Sequence, residues 1–250
     1  MMNAGYHGLE AEWHDLFWED EEAPSELPFL KEFLGPVSGK ILYVGSGSGR
    51  LLGPLVEKGY KVTGLEISGE MVKLSREKFP KAKVRVGDWD DFSEGNWGAI
   101  VVPGFTFQLM ASPAKQLTKM AHLVGPGGRL YVSLFFPWAE MSGDLPEGYW
   151  YHDRALELPD GKKGEMRTRH FIDHQASVLK RQHRYLCKNE NGEVIREDTT
   201  QQRIRVFADG ELEKLISKAG WKIVREITNF GDSDEEDDTV YVITLFLERV

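Results

Sequence analysis

From residue 40 onward the chain alternates short apolar runs with segments of helical period. Ile41–Val44, Lys61–Glu66, Lys83–Val86, Ala99–Val102 and Arg129–Phe136 read as strands. A helix is expected from about Arg50 to Lys58, with Pro54 in its first turn, where a missing N–H has no partner to lose. Ser68 caps a second helix, which runs through Met71, Leu74 and Phe79 to a stop at Pro80. A third spans Pro113–Leu123 and closes at Gly125-Pro126-Gly127-Gly128. This alternation, sustained over about a hundred residues, predicts an α/β fold with a doubly wound, mostly parallel sheet. Upstream, Trp13, Leu16, Phe17, Leu27, Leu30, Phe33 and Leu34 recur at helical spacing, interrupted by Glu19–Glu22 and Pro24. Residues 1–36 are therefore expected to form a helical N-terminal cap.

After Phe136 the period changes. Met166–Ile172, Val178–Cys187 and Val194–Phe207 alternate polar and apolar positions, and Asn189-Glu190-Asn191-Gly192 joins the second and third as a hairpin turn. An antiparallel β-sheet over residues 165–207, inserted into a single 1–250 domain, is the expected arrangement, serving as a lid, a homodimer surface or both. A helix follows, with Asp209 as its cap and Leu212, Leu215, Ile216 and Ala219 on one face. The strands Trp221–Ile227 and Tyr241–Leu247 complete the pattern. The acidic run Asp232–Asp238 between them reads as a solvated loop or a lid over a cationic substrate.

Composition narrows the function classes. The 250 residues are 41% apolar and 28% charged, an ordinary globular balance. A lone cysteine, Cys187, excludes an internal disulfide and fits a reducing, cytoplasmic setting. No basic-then-apolar leader begins the sequence, and no run reaches the roughly eighteen apolar residues that a membrane span needs. A net charge of −9 repels phosphate backbones, which argues against nucleic acid as substrate. His170 and His174 flank a strand end with no second Cys or acid cluster nearby, so no metal site is expected. No Ser-His-Asp order suggests a hydrolase.

The chemistry concentrates at strand ends. The first strand breaks into Gly45-Ser46-Gly47-Ser48-Gly49, a loop that lets backbone approach a ligand closely. The second ends on Glu66, placed to accept hydrogen bonds from two ribose hydroxyls. The third runs into Gly87-Asp88-Trp89-Asp90-Asp91-Phe92, where Asp88 can meet an adenine amino group and Trp89 can lie against the ring. The fourth ends at Pro103-Gly104. A dinucleotide fingerprint has its third glycine one position later, where Arg50 stands.

In this order, the glycine loop, the acid after the second strand, the Gly-Asp segment and the Pro-Gly-Gly turn resemble class I S-adenosylmethionine-dependent methyltransferases. The resemblance covers about residues 37–136 and extends to the strand pair Trp221–Val250. The front segment Ala11–Phe17 and the inserted sheet resemble a bacterial small-molecule branch, similar to sugar N-methyltransferases. The resemblance implies a seven-stranded sheet of order 3-2-1-4-5-7-6 with the seventh strand antiparallel. It implies that S-adenosyl-L-methionine is held by Gly45, Ser46, Gly47, Gly49, Glu66, Ile67, Asp88, Trp89 and Pro103. Three positions depart from the family: Tyr43 stands where an acid helps hold the ammonium of the cofactor's methionine, Gly98 where an acid often precedes the fourth strand, and His14 where relatives commonly carry tyrosine.

The reaction this implies is in-line attack of a nitrogen or oxygen of a small molecule on the sulfonium methyl. It needs alignment and exclusion of water more than a dedicated catalytic group. Acceptor-side candidates are Trp13, His14, Phe105, Gln108 and Trp138; Trp138, Trp150 and Tyr151 form a substrate wall or anchor the insertion. The alternatives are an NAD-dependent oxidoreductase on the same sheet, and a protein that binds the cofactor without methyl transfer.

Overall fold

The computed structural model describes residues 5–18, 25–35, 37–158, 161–231 and 239–250. The helices are α1 (Leu9–Trp13), α2 (Leu27–Leu34), α3 (Leu52–Glu57), α4 (Gly69–Lys78), α5 (Thr106–Leu109), α6 (Pro113–Val124), α7 (Trp138–Met141) and α8 (Glu211–Lys218). The first seven strands are β1 (Ile41–Val44), β2 (Val62–Glu66), β3 (Lys83–Val86), β4 (Ala99–Val102), β5 (Arg129–Phe135), β6 (Tyr151–Glu157) and β7 (Lys163–Asp173). They are followed by β8 (Val178–Lys188), β9 (Val194–Arg205), β10 (Trp221–Thr228) and β11 (Val242–Arg249). The chain divides into two compact units, one of Ala23–Phe136 with Phe207–Val250, the other of Met1–Glu22 with Pro137–Val206.

The larger unit is built on a seven-stranded sheet of order β10-β11-β5-β4-β1-β2-β3. β1 to β5 are parallel, and β11 lies antiparallel between β5 and β10. With β10 and β11 as sixth and seventh strands, this is the 3-2-1-4-5-7-6 order expected from sequence. Successive strand residues face opposite sides, and both sides are covered, which is why these strands read as unbroken apolar runs. Leu42, Val44, Ile100, Val102, Leu130 and Val132 pack on one face with Leu117 and Met120 of α6 and Ile216 of α8. Ile41, Tyr43, Ala99, Val101 and Tyr131 pack on the other with Leu30 and Phe33 of α2 and Leu52 and Leu55 of α3. Strand order reverses direction at β1 and β4, and a parallel sheet opens its ligand crevice at the carboxyl ends of such strands.

Local signals set the helix ends. Ser68 Oγ accepts the Met71 N–H at 3.2 Å, capping α4 as the sequence suggests. Asp209 does not cap α8. Gly210 occupies that position with φ 65°, a left-handed conformation that favours glycine over aspartate, and the Glu211 carboxylate accepts the Ala208 N–H at 3.0 Å.

The smaller unit carries a four-stranded antiparallel sheet of order β6-β7-β8-β9. The sheet extends upstream of the expected 165–207 boundary, because β6 joins its edge. That strand is mostly exposed and shows no apolar alternation to betray it. The Asn189 turn forms as read: Asn189 Oδ1 accepts the N–H of Asn191 at 3.0 Å and of Glu193 at 2.9 Å. Leu9 and Trp13 of α1 pack on Met166, Tyr185 and Cys187. The helical stretch expected over residues 1–36 is thus shared out, α1 grouping with this sheet and α2 with the larger unit. Residues 19–24 and the acidic run Asp232–Asp238 lie outside the described residues. Among the described residues, no helix is long and apolar enough to cross a membrane.

Candidate functional site

In the larger unit the sequence-marked residues gather at the carboxyl ends of β1, β2 and β4. The loop after β1 holds Gly45, Gly47 and Gly49 at φ of 72°, 54° and 87°. At Gly45 a Cβ would also fall 2.6 Å from Thr106 Cγ2, so the close approach of the β1 and β4 loops requires glycine. The loop closes on itself through Gly49 N–H to Ser46 carbonyl at 3.0 Å and is tied to β2 through Gly45 N–H to Leu65 carbonyl at 2.8 Å.

Glu66 is the hinge of this arrangement. Its Oε2 accepts the Gly47 N–H at 2.9 Å and its Oε1 accepts the Ser68 N–H at 2.9 Å. The side chain is buried and held by one backbone donor on each oxygen. A carboxylate offers about four lone-pair sites, so each oxygen keeps one acceptor position for a ligand. Ile67, next along the chain, is 39% exposed, an apolar side chain left open beside an oriented carboxylate.

Beyond β3, Asp88 Oδ1 accepts the Asp90 N–H at 2.8 Å and starts a single 3-10 turn over Trp89–Asp91. This uses one of its two oxygens. Trp89 is not open to a ligand: it belongs to the apolar core, with its ring stacked on Phe92 and the Lys119 ammonium 4.5 Å from its centroid. Its indole N–H donates to Gln116 Oε1 at 2.7 Å. The packing role of this tryptophan is the one its surroundings support.

After β4, Pro103 is buried and Gly104 opens at φ 60°, with nothing within 4 Å of where a Cβ would lie. Phe105 sits half-buried, its ring centroid 6.3 Å from that of Phe135. Gln108 is buried as a clamp. Its Nε2 donates to the Phe135 carbonyl at 3.0 Å, and its Oε1 accepts the Phe135 N–H at 2.7 Å. Both ends of the amide satisfy the terminal backbone of β5, which makes it a structural group rather than an acceptor-side one.

A carboxylate that sequence reasoning did not single out completes this end of the sheet. Glu26, just before α2, is buried and accepts the Ser133 hydroxyl at 2.5 Å. Burial pushes its carboxyl up, opposed in part by Ser133, Tyr131, the Gly104 backbone and the charge of Arg50. Tyr43, the departure noted two residues before Gly45, is buried beside it. Desolvation and the Glu26 charge push that phenol up.

The remaining candidates lie in the smaller unit. Trp13 is buried edge-on to Tyr185, with ring centroids 6.1 Å apart, and packs as core. His14 Nδ1 sits 2.8 Å from Asp15 Oδ1, and its ring is 5.4 Å from that of Tyr6. Trp138, at the start of α7, is 47% exposed. The same unit holds a polar row across β7, β8 and β9 in which Thr168, His170, His183, Thr200 and Gln202 are buried, met from β6 by the exposed Asp153. Thr168 Oγ1 donates to Asp153 Oδ2 at 2.6 Å and lies 2.8 Å from His183 Nδ1. The hydroxyl proton of Thr168 goes to Asp153, so Thr168 can only accept from His183 Nδ1, while His183 Nε2 lies 3.4 Å from Gln202 Oε1. Burial, with help from the Arg181 charge, pushes this imidazole down. Thr200 lies against Glu10 and Tyr185, and both ring nitrogens of His170 are buried with no hydrogen-bond partner among the described residues. Glu10 accepts the Tyr185 hydroxyl at 3.3 Å, and burial pushes its carboxyl up to about 7.

Residues 42–132, from β1 to β5, match the family described as methyltransferase domain. An uncharacterized methyltransferase of Bacillus mycoides is 28% identical over 141 residues, 52% of this chain and 66% of that protein, so the match spans just under two thirds of the relative. The CcbJ methyltransferase from Streptomyces caelestis superposes with a TM-score of 0.73 at 20% identity over 96% of each chain. CalS10, an amino pentose methyltransferase from Micromonospora echinaspora solved with S-adenosylmethionine bound, gives 0.68 at 20% identity over 98% of each chain.

Proposed function

We propose that this chain, whose residues 42–132 match the methyltransferase-domain family and whose fold superposes on that of the CcbJ methyltransferase, transfers a methyl group from S-adenosyl-L-methionine to a nitrogen or oxygen of a small polar molecule. The observation that carries this reading is Glu66, a buried carboxylate oriented by the Gly47 and Ser68 N–H groups with one acceptor position free on each oxygen. Two adjacent ribose hydroxyls need that arrangement. The rest of the cradle fits the same ligand. Gly45, Ser46, Gly47 and Gly49 bring backbone close, Gly104 leaves open space beside Pro103, Ile67 offers an apolar face, and Asp88 keeps one oxygen for an amino group. Trp89 supports the site from behind through the core.

When bound, S-adenosyl-L-methionine supplies a methyl group already activated on a sulfonium. The residues here therefore need to bind, orient and exclude water, and to take a proton only where the acceptor arrives protonated. The activity named for CalS10 makes amino sugars the first class to test.

The test is incubation with methyl-labelled cofactor and a panel of amino sugars and other small amines and alcohols, read by mass spectrometry, alongside calorimetry with S-adenosylhomocysteine. A labelled product with measurable product affinity is expected. Binding without turnover across extracts would leave a cofactor-binding protein, and binding of NADH in place of S-adenosylhomocysteine would leave an oxidoreductase.

A further inference from the structure

One buried acid in the larger unit has no ion-pair partner among the described residues. Glu26 is 6% exposed, and its hydrogen bond from Ser133 belongs to a short chain, with Ser133 Oγ 3.1 Å from Thr244 Oγ1. Among the described residues no Lys, Arg or His forms an ion pair with it. Arg50 acts on it only through its field, as the weakest of the influences on its charge. Hydroxyls and a backbone N–H can hold a neutral acid there, yet a glutamine or an apolar residue would serve packing at lower cost.

The acid's position indicates what it awaits. The Gly104 backbone just past β4 hydrogen-bonds to it, and Tyr43 near the end of β1 lies within its field. Glu26 therefore reaches the junction of the two loops that flank the crevice, where Gly45 and Thr106 are in contact range. Of the other carboxylates near the glycine loop, Glu66 already has a backbone donor on each oxygen and faces the end of β2. The strand that enters the loop ends in uncharged side chains, Tyr43 and Val44.

S-adenosyl-L-methionine brings two cationic centres. A carboxylate against the sulfonium would compete with the acceptor for the methyl group, whereas a primary ammonium offers three N–H donors and no such reaction. We propose that Glu26 receives the α-ammonium of the cofactor's methionine, supplied from α2 in place of an acid at the end of β1. This rests on the cofactor reading above. The charge acquires its partner only when the ligand enters, so Glu26 acts as a binding residue that is a burden on the empty protein.

The experiment compares two ligands on the wild type and on Glu26→Gln by calorimetry. S-adenosylhomocysteine carries the ammonium; 5′-methylthioadenosine keeps the adenosine and thioether but lacks it. Glu26→Gln is expected to weaken S-adenosylhomocysteine roughly 10- to 100-fold while leaving 5′-methylthioadenosine within about twofold. Its ligand-free thermal midpoint is expected to equal or exceed that of the wild type. Glu26→Asp, which retains the charge but draws it back, is expected to lose severalfold affinity for S-adenosylhomocysteine alone, and it serves if the glutamine variant does not fold. Equal S-adenosylhomocysteine affinity in wild type and variants overturns the assignment, as does parallel loss of both ligands. A wild type that binds neither ligand overturns the cofactor reading itself.

Discussion

Glu66 Oε2 accepts the Gly47 N–H at 2.9 Å, so the acid at the tip of β2 holds the middle of the loop that follows β1. Removing it costs the ligand two acceptors and costs the loop its tether. Glu66→Ala is expected to weaken S-adenosylhomocysteine binding by about 10- to 100-fold, with a fall of a few degrees in thermal midpoint. Unchanged affinity by calorimetry would remove Glu66 from the site.

Trp89 and Gln116 give the opposite case. With the indole N–H bonded to Gln116 Oε1 at 2.7 Å and the ring in the core, Trp89→Phe should act on stability and not on the ligand. A loss of about 1–3 kcal/mol in urea unfolding is expected, with product affinity within about threefold of wild type. A large affinity loss at unchanged stability would return the ring to the binding surface.

Gln108→Leu removes the two hydrogen bonds that the Gln108 amide makes with the N–H and carbonyl of Phe135 inside a packed sheet end. We expect roughly 2–4 kcal/mol of destabilisation, the sum of two modest penalties. Turnover per folded molecule should hold. A variant of full stability and no turnover would make Gln108 an acceptor residue after all.

Glu10 carries a pH signature. Its folded pKa is raised from 4.5 to about 7 by burial, so the folded state holds a proton that the unfolded state releases. Its contribution is fully favourable below about pH 4.5 and is lost as pH rises toward 7. Glu10→Gln should therefore gain on the wild type across that window, by roughly 2–3 kcal/mol at pH 8, and match it near pH 4. Denaturant midpoints at the two pH values read the difference; parallel curves would count against it.

How much of this was legible beforehand depended on whether the deciding force was local. The glycine loop and the parallel strands were readable because positive φ angles and two-sided burial impose residue types at their own positions, whereas the order of the sheet came with the family resemblance. The fate of Trp89 was not, since an aromatic at a strand end serves stacking or packing equally and its partner Gln116 lies in a different helix. Gln108 read as an acceptor-side candidate because the Phe135 backbone that its amide meets lies 27 residues further on. Glu26 resembled any acid near a helix start, where the helix dipole favours one. Its burial is made by Ser133, 107 residues further on. β6 escaped because an exposed edge strand leaves no alternation to read.

The placement of β11 has a consequence for how the sheet is assembled. Its partners are Arg129–Phe135 on one side and Trp221–Thr228 on the other, and Arg129 bonds to Glu248 across 119 residues of chain. While the ribosome has delivered only the first ten strands, β5 and β10 both present open edges, with apolar positions awaiting a neighbour. Closure by so distant a strand is slow, as pairings of high sequence separation are. The seam beside β5 is therefore joined late, and a nascent chain stopped before Val242 holds a glycine loop and its Glu66 on a sheet still lacking the strand that joins β10 to β5.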